Sequence, residues 1–276
     1  MRKWIGIGII LIAIGAAGLL SPWSGWQDDW FGTVQVNEKT SIKAEGIERL
    51  KVDTDSEDVR IVPGGEGEIV VRLEGKASAK QEQREKLDAV AKDGTLSVRA
   101  LQQQAIVGFN IVRLKMTIEV PLRTYESITV DTDSGDVELV GLAADAVLLK
   151  SDSGDFMAKQ LKAKTIEADT DSGDQVFEDS EGSLKSESDS GDLLWSAKEL
   201  AWGADIRTDS GDVAFQLARK PVNGSVSYTS DSGDGVIGWG AGIVDSGGTL
   251  SQTFGTGSPA VKVFTDSGDF TMNEQQ

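Results

Sequence analysis

The sequence predicts an all-β protein whose body is a β-solenoid of repeats about 20 residues long. Three observations predict it. First, Asp-Ser-Gly-Asp occurs seven times, starting at Asp133, Asp152, Asp171, Asp189, Asp209, Asp231 and Asp266. The steps between starts are 19, 19, 18, 20, 22 and 35 residues, and the last step contains a degraded copy, Asp245-Ser246-Gly247-Gly248, so it reads as two turns of the repeat. Second, each motif follows alternating inward positions, as in Ile128, Val130 and Thr132, or Val147, Leu149 and Ser151. Period two marks a strand with one buried face. Third, the apolar phase resumes after the motif with opposite parity, at Val137 and Leu139, Phe156 and Ala158, Val213 and Phe215. The chain must therefore turn or bulge at Ser-Gly, where Gly supplies a backbone angle costly to other residues. Each unit reads as strand, corner, strand and return, and only a stack of units can bury the shared face.

The elements follow in order. Residues 1–3, Met1-Arg2-Lys3, are a basic start. Residues 4–21 read as a transmembrane anchor, because Trp4 to Leu20 is 17 residues without a strongly polar side chain. The basic start places the N-terminus in the cytoplasm and the rest outside the cell membrane, in a single pass. Trp23, Trp26, Trp30 and Phe31 suit an outer interfacial belt. Cleavage as a signal peptide near Ala16-Ala17-Gly18 is the competing expectation. Residues 22–46 read as a tether.

Residues 47–125 read as ordinary antiparallel strands that cap the first turn of the stack. Leu50 to Ile61 resembles a repeat unit with Glu57 in place of Gly. Pro63-Gly64-Gly65 makes a turn, Ala77 to Ala91 is open between a short helix and a strand, and Asp93-Gly94 signals a hairpin. Residues 126–272 carry the repeats. Gln175 and Gly235 occupy usually apolar places, Gly235 to Gly257 reads as irregular turns before the final unit, and 273–276 is a polar tail.

Composition narrows the chemistry. The chain has 276 residues, 32 of them Gly, with no Cys and no His. Disulfides, thiol nucleophiles and thiolate metal sites are excluded, as are the usual general base and the commonest metal ligand. A net charge of -18 disfavours nucleic acid and anionic lipid surfaces and favours cations or basic proteins.

The basic start, the apolar helix, the Trp-bearing tether, Ile118-Glu119-Val120-Pro121 and the Thr-Asp-Ser-Gly-Asp-Val units together resemble the LiaG-like family. These are bacterial envelope proteins with a β-strand-repeat domain, often labelled adhesins. The resemblance covers nearly the whole chain and implies a membrane-anchored extracytoplasmic domain in a Gram-positive bacterium, near envelope-stress systems. It brings no catalytic residues.

Stacking would set the Asp residues of neighbouring turns about 4.8 Å apart. Two adjacent rungs could offer oxygens to calcium. We prefer the reading in which each Asp caps a corner and keeps a sheet edge soluble. The Ser/Thr column shares the parity of the apolar positions, so it should point inward as a hydrogen-bonded ladder. Trp195, Phe215 and Phe177 are at core parity, whereas Trp202 and Trp239 are off the pattern, either packed loop anchors or platforms for a sugar or partner. A glycan-cleaving site needs two carboxylates in different environments, and repetition argues against one. The expectation is a non-catalytic, membrane-anchored envelope module for interaction, adhesion or stress sensing, with no catalytic, metal or cofactor residues and an envelope protein or polysaccharide as partner. The alternatives are a calcium-loaded adhesin-like module and, less favoured, a polysaccharide-active β-helix enzyme.

Overall fold

A computed structural model describes residues 33–78, 86–101, 112–239, 242–244 and 247–275. Every regular element in them is a strand. Before the first full motif lie β1 (Thr33–Lys43), β2 (Arg49–Thr54), β3 (Asp58–Pro63), β4 (Glu68–Ser78), β5 (Lys86–Lys92), β6 (Thr95–Leu101) and β7 (Val112–Val120). The repeats give β8 (Thr124–Thr132), β9 (Val137–Val140), β10 (Ala143–Ser151), β11 (Phe156–Lys159), β12 (Lys162–Thr170), β13 (Gln175–Glu178), β14 (Glu181–Ser188), β15 (Leu193–Ala197), β16 (Ala204–Thr208) and β17 (Val213–Leu217). The chain ends with β18 (Gly224–Ser230), β19 (Gly235–Ile237), β20 (Gly242–Val244), β21 (Gly248–Phe254), β22 (Ala260–Thr265) and β23 (Phe270–Glu274).

Even- and odd-numbered partners of each repeat fall into two sheets. One has 12 strands in the order β1-β4-β7-β3-β9-β11-β13-β15-β17-β23-β19-β20. The other has 11, in the order β21-β18-β22-β16-β14-β12-β10-β8-β2-β6-β5. Successive repeats pair parallel and in register, for example Val147 with Ile128 and Ile166. The result is a solenoid-like stack of two-strand rungs around one apolar core. Alternation does what the sequence promised: β8 buries Tyr125, Ile128, Val130 and Thr132, and β9 buries Val137 and Leu139.

The ends depart from expectation in three ways. Residues 47–125 are not simply antiparallel. β2 and β3 form a true rung, parallel to β8 and β9, and β6 and β7 form another beyond it, parallel to β2 and β3. Only β1, β4 and β5 run antiparallel to their neighbours there. Part of the expected tether is the 11-residue strand β1, while the described part of Ala77 to Ala91 takes the strand alternative, with its first two residues in β4 and residues 86–91 in β5. The expected tail is partly strand too, since β23 reaches Glu274. The expected anchor, residues 4–21, lies outside the described residues. Among those described, no helix is long and apolar enough to cross a membrane.

The third departure concerns order. The last unit in sequence is not last in space. β22 lies between β16 and β18, and β23 lies between β17 and β19. The chain passes from β17 to the outer rung β18–β19, turns back through the antiparallel strands β20 and β21, and re-enters one layer inward. The other end mirrors this, with β2–β3 enclosed between β6–β7 and β8–β9. An aromatic stack runs through the insertion. Phe177 lies 5.3 Å from Trp195, Trp195 6.3 Å from Phe215, Phe215 6.2 Å from Phe270, and Phe270 5.4 Å from Tyr228. Such contacts add about 0.5–1.5 kcal/mol each to area burial.

Three polar residues at core parity pair as follows. Ser186 Oγ donates to Gln175 Oε1 at 2.8 Å, so the two polar intrusions satisfy each other. Tyr228 Oη donates to the Gly268 carbonyl at 2.8 Å.

The inserted rung buries Val261, Val263, Phe270 and Met272, each worth about 1.5–3 kcal/mol. Because both of its neighbours depend on it, a chain ended after Gly257 should lose its cooperative thermal transition. A stack built in sequence order would lose only a terminal rung and melt a few degrees lower. Calorimetry on the full and shortened chains separates the two outcomes.

Candidate functional site

The corner is built by hydrogen bonds that run from rung to rung. In the motif's preceding residue, the Thr or Ser hydroxyl points inward and accepts the motif glycine's N–H. The distance is 2.7 Å for Ser151 and Gly154, 3.1 Å for Thr170 and Gly173, and 2.8 Å for Thr265 and Gly268. The carbonyl of the first Asp accepts N–H groups from the next rung: two at Asp55, Asp133, Asp171, Asp209 and Asp266, as Asp133 does from Asp152 and Ser153, and one at Asp152 and Asp189. The second Asp acts through its side chain. Asp136 Oδ1 accepts Asp155 N–H at 3.0 Å, Asp155 Oδ1 accepts Asp174 N–H at 2.8 Å, and Asp174 Oδ1 accepts Asp192 N–H at 2.9 Å. The series continues through Asp192, Asp212, Asp269 and Asp234, following spatial rather than chain order. All four N–H groups of a corner such as Asp152 to Asp155 are thus paired, including the buried one of Gly154, which would be costly to leave unpaired.

The Ser/Thr column points inward as expected, but its bonds go to main chain within the corner and to the neighbouring rung's Asp carbonyl, not from hydroxyl to hydroxyl. Ser230 Oγ, for example, donates to the Asp266 carbonyl at 3.2 Å. The role expected for the glycine needs correction. None of the motif glycines has positive φ. A Cβ on Gly173 would lie 2.0 Å from the Gly154 carbonyl oxygen, and one on Gly154 would lie 2.1 Å from that of Gly135. Glycine is required because neighbouring rungs touch there, backbone against backbone.

Glu57 shows the same rule from the other side. It stands where later repeats have Gly, at the start of the column. Its Oε2 accepts the N–H groups of Asp55 and Ser56, both at 3.3 Å. These are the two donors that elsewhere meet the preceding rung's Asp carbonyl, and here the Glu57 carboxylate takes that place. Glu57 is fully buried, and its Oε1 and Thr54 Oγ1 have no hydrogen-bond partner. At the far end Gly247, from the degraded copy, donates to the Gly233 carbonyl at 3.0 Å. That copy does not form a parallel turn of its own: β20 and β21 flank it, antiparallel to β19 and β18. Its Asp245 and Ser246 lie outside the described residues.

The first Asp of each motif is exposed, and together these residues form an acidic row along the edge of the stack. Asp171, Asp189, Asp209, Asp266 and Asp231 border a shallow depression of about 510 Å³, with Phe264 and Arg207 in its wall. The Arg207 guanidinium lies 5.5 Å from the Phe264 ring centre. Partial burial, and then the like charges of Asp133 and Asp53, push the Asp55 carboxyl above its ordinary range. A raised folded-state value means the folded chain holds that proton more tightly than the unfolded chain. Ionising Asp55 therefore costs stability, and the cost appears as pH rises above the ordinary carboxylate range. Among the described residues, no three carboxylates converge in a way that could hold a metal ion.

A second irregular feature lies on the opposite, return side. The returns at residues 141–142, 160–161 and 179–180 have two residues each, whereas 198–203 has six. Trp202 sits on this longer return and is 38% exposed, while Trp239 packs against the core with φ of 60°. Sequence reasoning marked both as off pattern and placed Trp195, Phe215 and Phe177 correctly in the core. It missed the cap role of Glu57, the acceptor role of the second Asp, and the left-handed geometry of Gln160 (φ 53°) and Asp179 (φ 47°), which no composition signal marks.

The chain belongs to the Toastrack DUF4097 family, whose profile matches residues 47–182 and 141–273. No curated protein matches it. Among solved structures, it is similar to a candidate cell adhesion protein from Clostridium sporogenes, at 12% identity and TM-score 0.41, covering 88% of this chain and 100% of that one. A candidate adhesin from Bacteroides fragilis matches at 14% identity and TM-score 0.45, covering 87% and 97%. A candidate lipid-binding protein from Parabacteroides distasonis matches at 12% identity and TM-score 0.40, again covering 87% and 97%. At these levels neither ligand nor activity transfers from those proteins.

The two Asp columns should respond differently to substitution. Asp174→Ala removes the acceptor of the Asp192 N–H at an exposed corner and should cost about 0.5–1.5 kcal/mol, whereas Asp171→Ala removes an exposed like charge and should cost under about 0.5 kcal/mol. Gly173→Ala should exceed both, at more than about 3 kcal/mol, while Gly67→Ala, with open space at its Cβ, should be near neutral. Denaturant unfolding of the four variants reads all of these.

Proposed function

We propose that this chain is a non-catalytic interaction module of the bacterial envelope, adhesion-like in role, held at the outer face of the cell membrane by residues 4–21. The observation that supports it is the uniformity of the corner. From Asp58 through Asp269, each second Asp holds the next rung's N–H through the same carboxylate oxygen. A catalytic centre needs groups whose environments differ. A scaffold needs what is seen here: a rigid body presenting a long, regular, acidic face. Engagement of Oδ1 as a hydrogen-bond acceptor also leaves the second column a poorer calcium ligand set, which favours the scaffold over the calcium-loaded alternative. The LiaG-like resemblance and the basic start followed by a 17-residue apolar run support the anchor and its orientation.

The test is capture of isolated cell envelopes by beads carrying the purified full chain. Saturable capture without release of reducing sugar ends is expected, with the same capture in calcium and in sodium chloride of matched ionic strength. Release of reducing ends would make the protein an enzyme. Absence of capture would remove the interaction reading, and strict calcium dependence would replace it with the calcium-loaded one.

A further inference from the structure

The return side of the stack carries a trough that the regular repeat does not explain. Two local departures make it. The corner column that holds Leu142 and Leu161 continues with the smaller Ser180, and the next return lengthens to residues 198–203. Ser180 is buried and its hydroxyl is spent on the Ala158 carbonyl at 3.0 Å, so it does not fill the space a leucine would. What results is a cavity of about 370 Å³ walled by Trp202, Leu200 and the outer edges of Trp195 and Phe215. Asp179, Glu181 and Lys198 form its rim. The same three residues also border a second cavity of about 580 Å³ that extends along the stack to Leu122. Together the two make a trough parallel to the stack axis, with an exposed apolar side chain at each end: Trp202 at 38% and Leu122 at 73%. Gln160 and Asp179 reach the lip from left-handed backbone positions where the preceding repeat has Gly141. Holding a side chain there costs about 1 kcal/mol or more, as at sites where geometry serves a ligand.

We propose that this trough binds an uncharged oligosaccharide, with a pyranose ring stacked on Trp202. The proposal deepens the interaction-module reading and rests on it. A sugar ring offers an apolar C–H face to an aromatic platform and hydroxyls that need both acceptors and donors. Trp202 supplies the face, Asp179 and Glu181 the acceptors, and Lys198 and Gln160 the donors. The lining sets Asp179, Glu181 and Glu199 against Arg123, Lys162 and Lys198, with Glu181 paired to Lys162 and Glu199 to Arg219, so no excess charge is left for an ionic ligand, and a purely apolar one would strand the polar rim. A small quaternary ammonium ion wants several ring faces around it, but Trp195 and Phe215 spend their faces on the core stack. The volumes are those of ordinary ligand pockets, and the elongated shape suits several sugar units.

Calorimetric titration of the full chain with cellotetraose, chitotetraose and maltotetraose tests this, with choline chloride as the competing ligand. At least one tetrasaccharide should bind saturably, with Kd on the order of 1 mM or tighter. Trp202→Ala should weaken it about tenfold or more, and Trp202→Phe should retain most of the affinity. Asp179→Gly, which keeps the corner geometry of Gly141, should weaken it several-fold at an unchanged melting temperature. No saturation with any of the three, or equal binding by Trp202→Ala and the parent, would overturn the proposal. Trp202-dependent binding of choline alone would also overturn it. Envelope capture that persists in any of these cases would leave the broader reading standing and remove only this ligand.

Discussion

The rungs of this protein touch at the corner with no room for a side-chain carbon between them. A Cβ would come within 1.9–2.1 Å of the neighbouring carbonyl oxygen at Gly135, Gly154, Gly173, Gly191, Gly211, Gly268 and Gly233. That approach decides the rest of the motif. Backbone packed this closely shuts water away from the glycine N–H, which must be met locally, and the other N–H groups of the corner are met there too. The preceding Thr or Ser meets the glycine's N–H, the first Asp carbonyl meets one or two more, and the second Asp carboxylate meets the last. The first Asp side chain takes no part in these bonds and faces solvent. Thr-Asp-Ser-Gly-Asp is therefore the short polar sequence that lets parallel strands turn while adjacent turns stay in contact.

Much of this was legible. The period, the change of parity across Ser-Gly, and the inward hydroxyl column follow from side-chain alternation, which is a local property. Pairing partners are not local. The unit at Asp266 has the same motif as the one at Asp231, so either could sit beside Asp209, and the structure selects Asp266. The sequence hint was the 35-residue last step, long enough to go out and return. A glycine in a corner suggests a conformational need, because φ is the usual reason for one; a clash with the next rung is visible only once the rungs are stacked. Glu57 was visible as a departure, yet its meaning depends on there being no motif rung below it.

The same logic separates scaffold from site. Along the motif edge, every repeat does the same thing with the same atoms, and variation would break the stack. On the return side the demand is weaker, since two residues suffice and six are tolerated. Ser180, the long return and Trp202 all fall there, at adjacent layers. The sequence showed Trp202 only as off pattern, because the neighbours that make it part of a trough come from other repeats.

The central claim is that one continuous corner column exists and that it follows spatial order through the inserted last rung. The chain has no cysteine, so paired cysteines can report on it without background. Adjacent rungs place equivalent residues about 4.8 Å apart, within disulfide reach, whereas alternate rungs place them about 9.6 Å apart, beyond it. Under mild oxidation, Asp209→Cys with Asp266→Cys should crosslink within the chain, and Asp209→Cys with Asp231→Cys should not. The reverse result would contradict the account, since it would place the rungs in the order of the sequence.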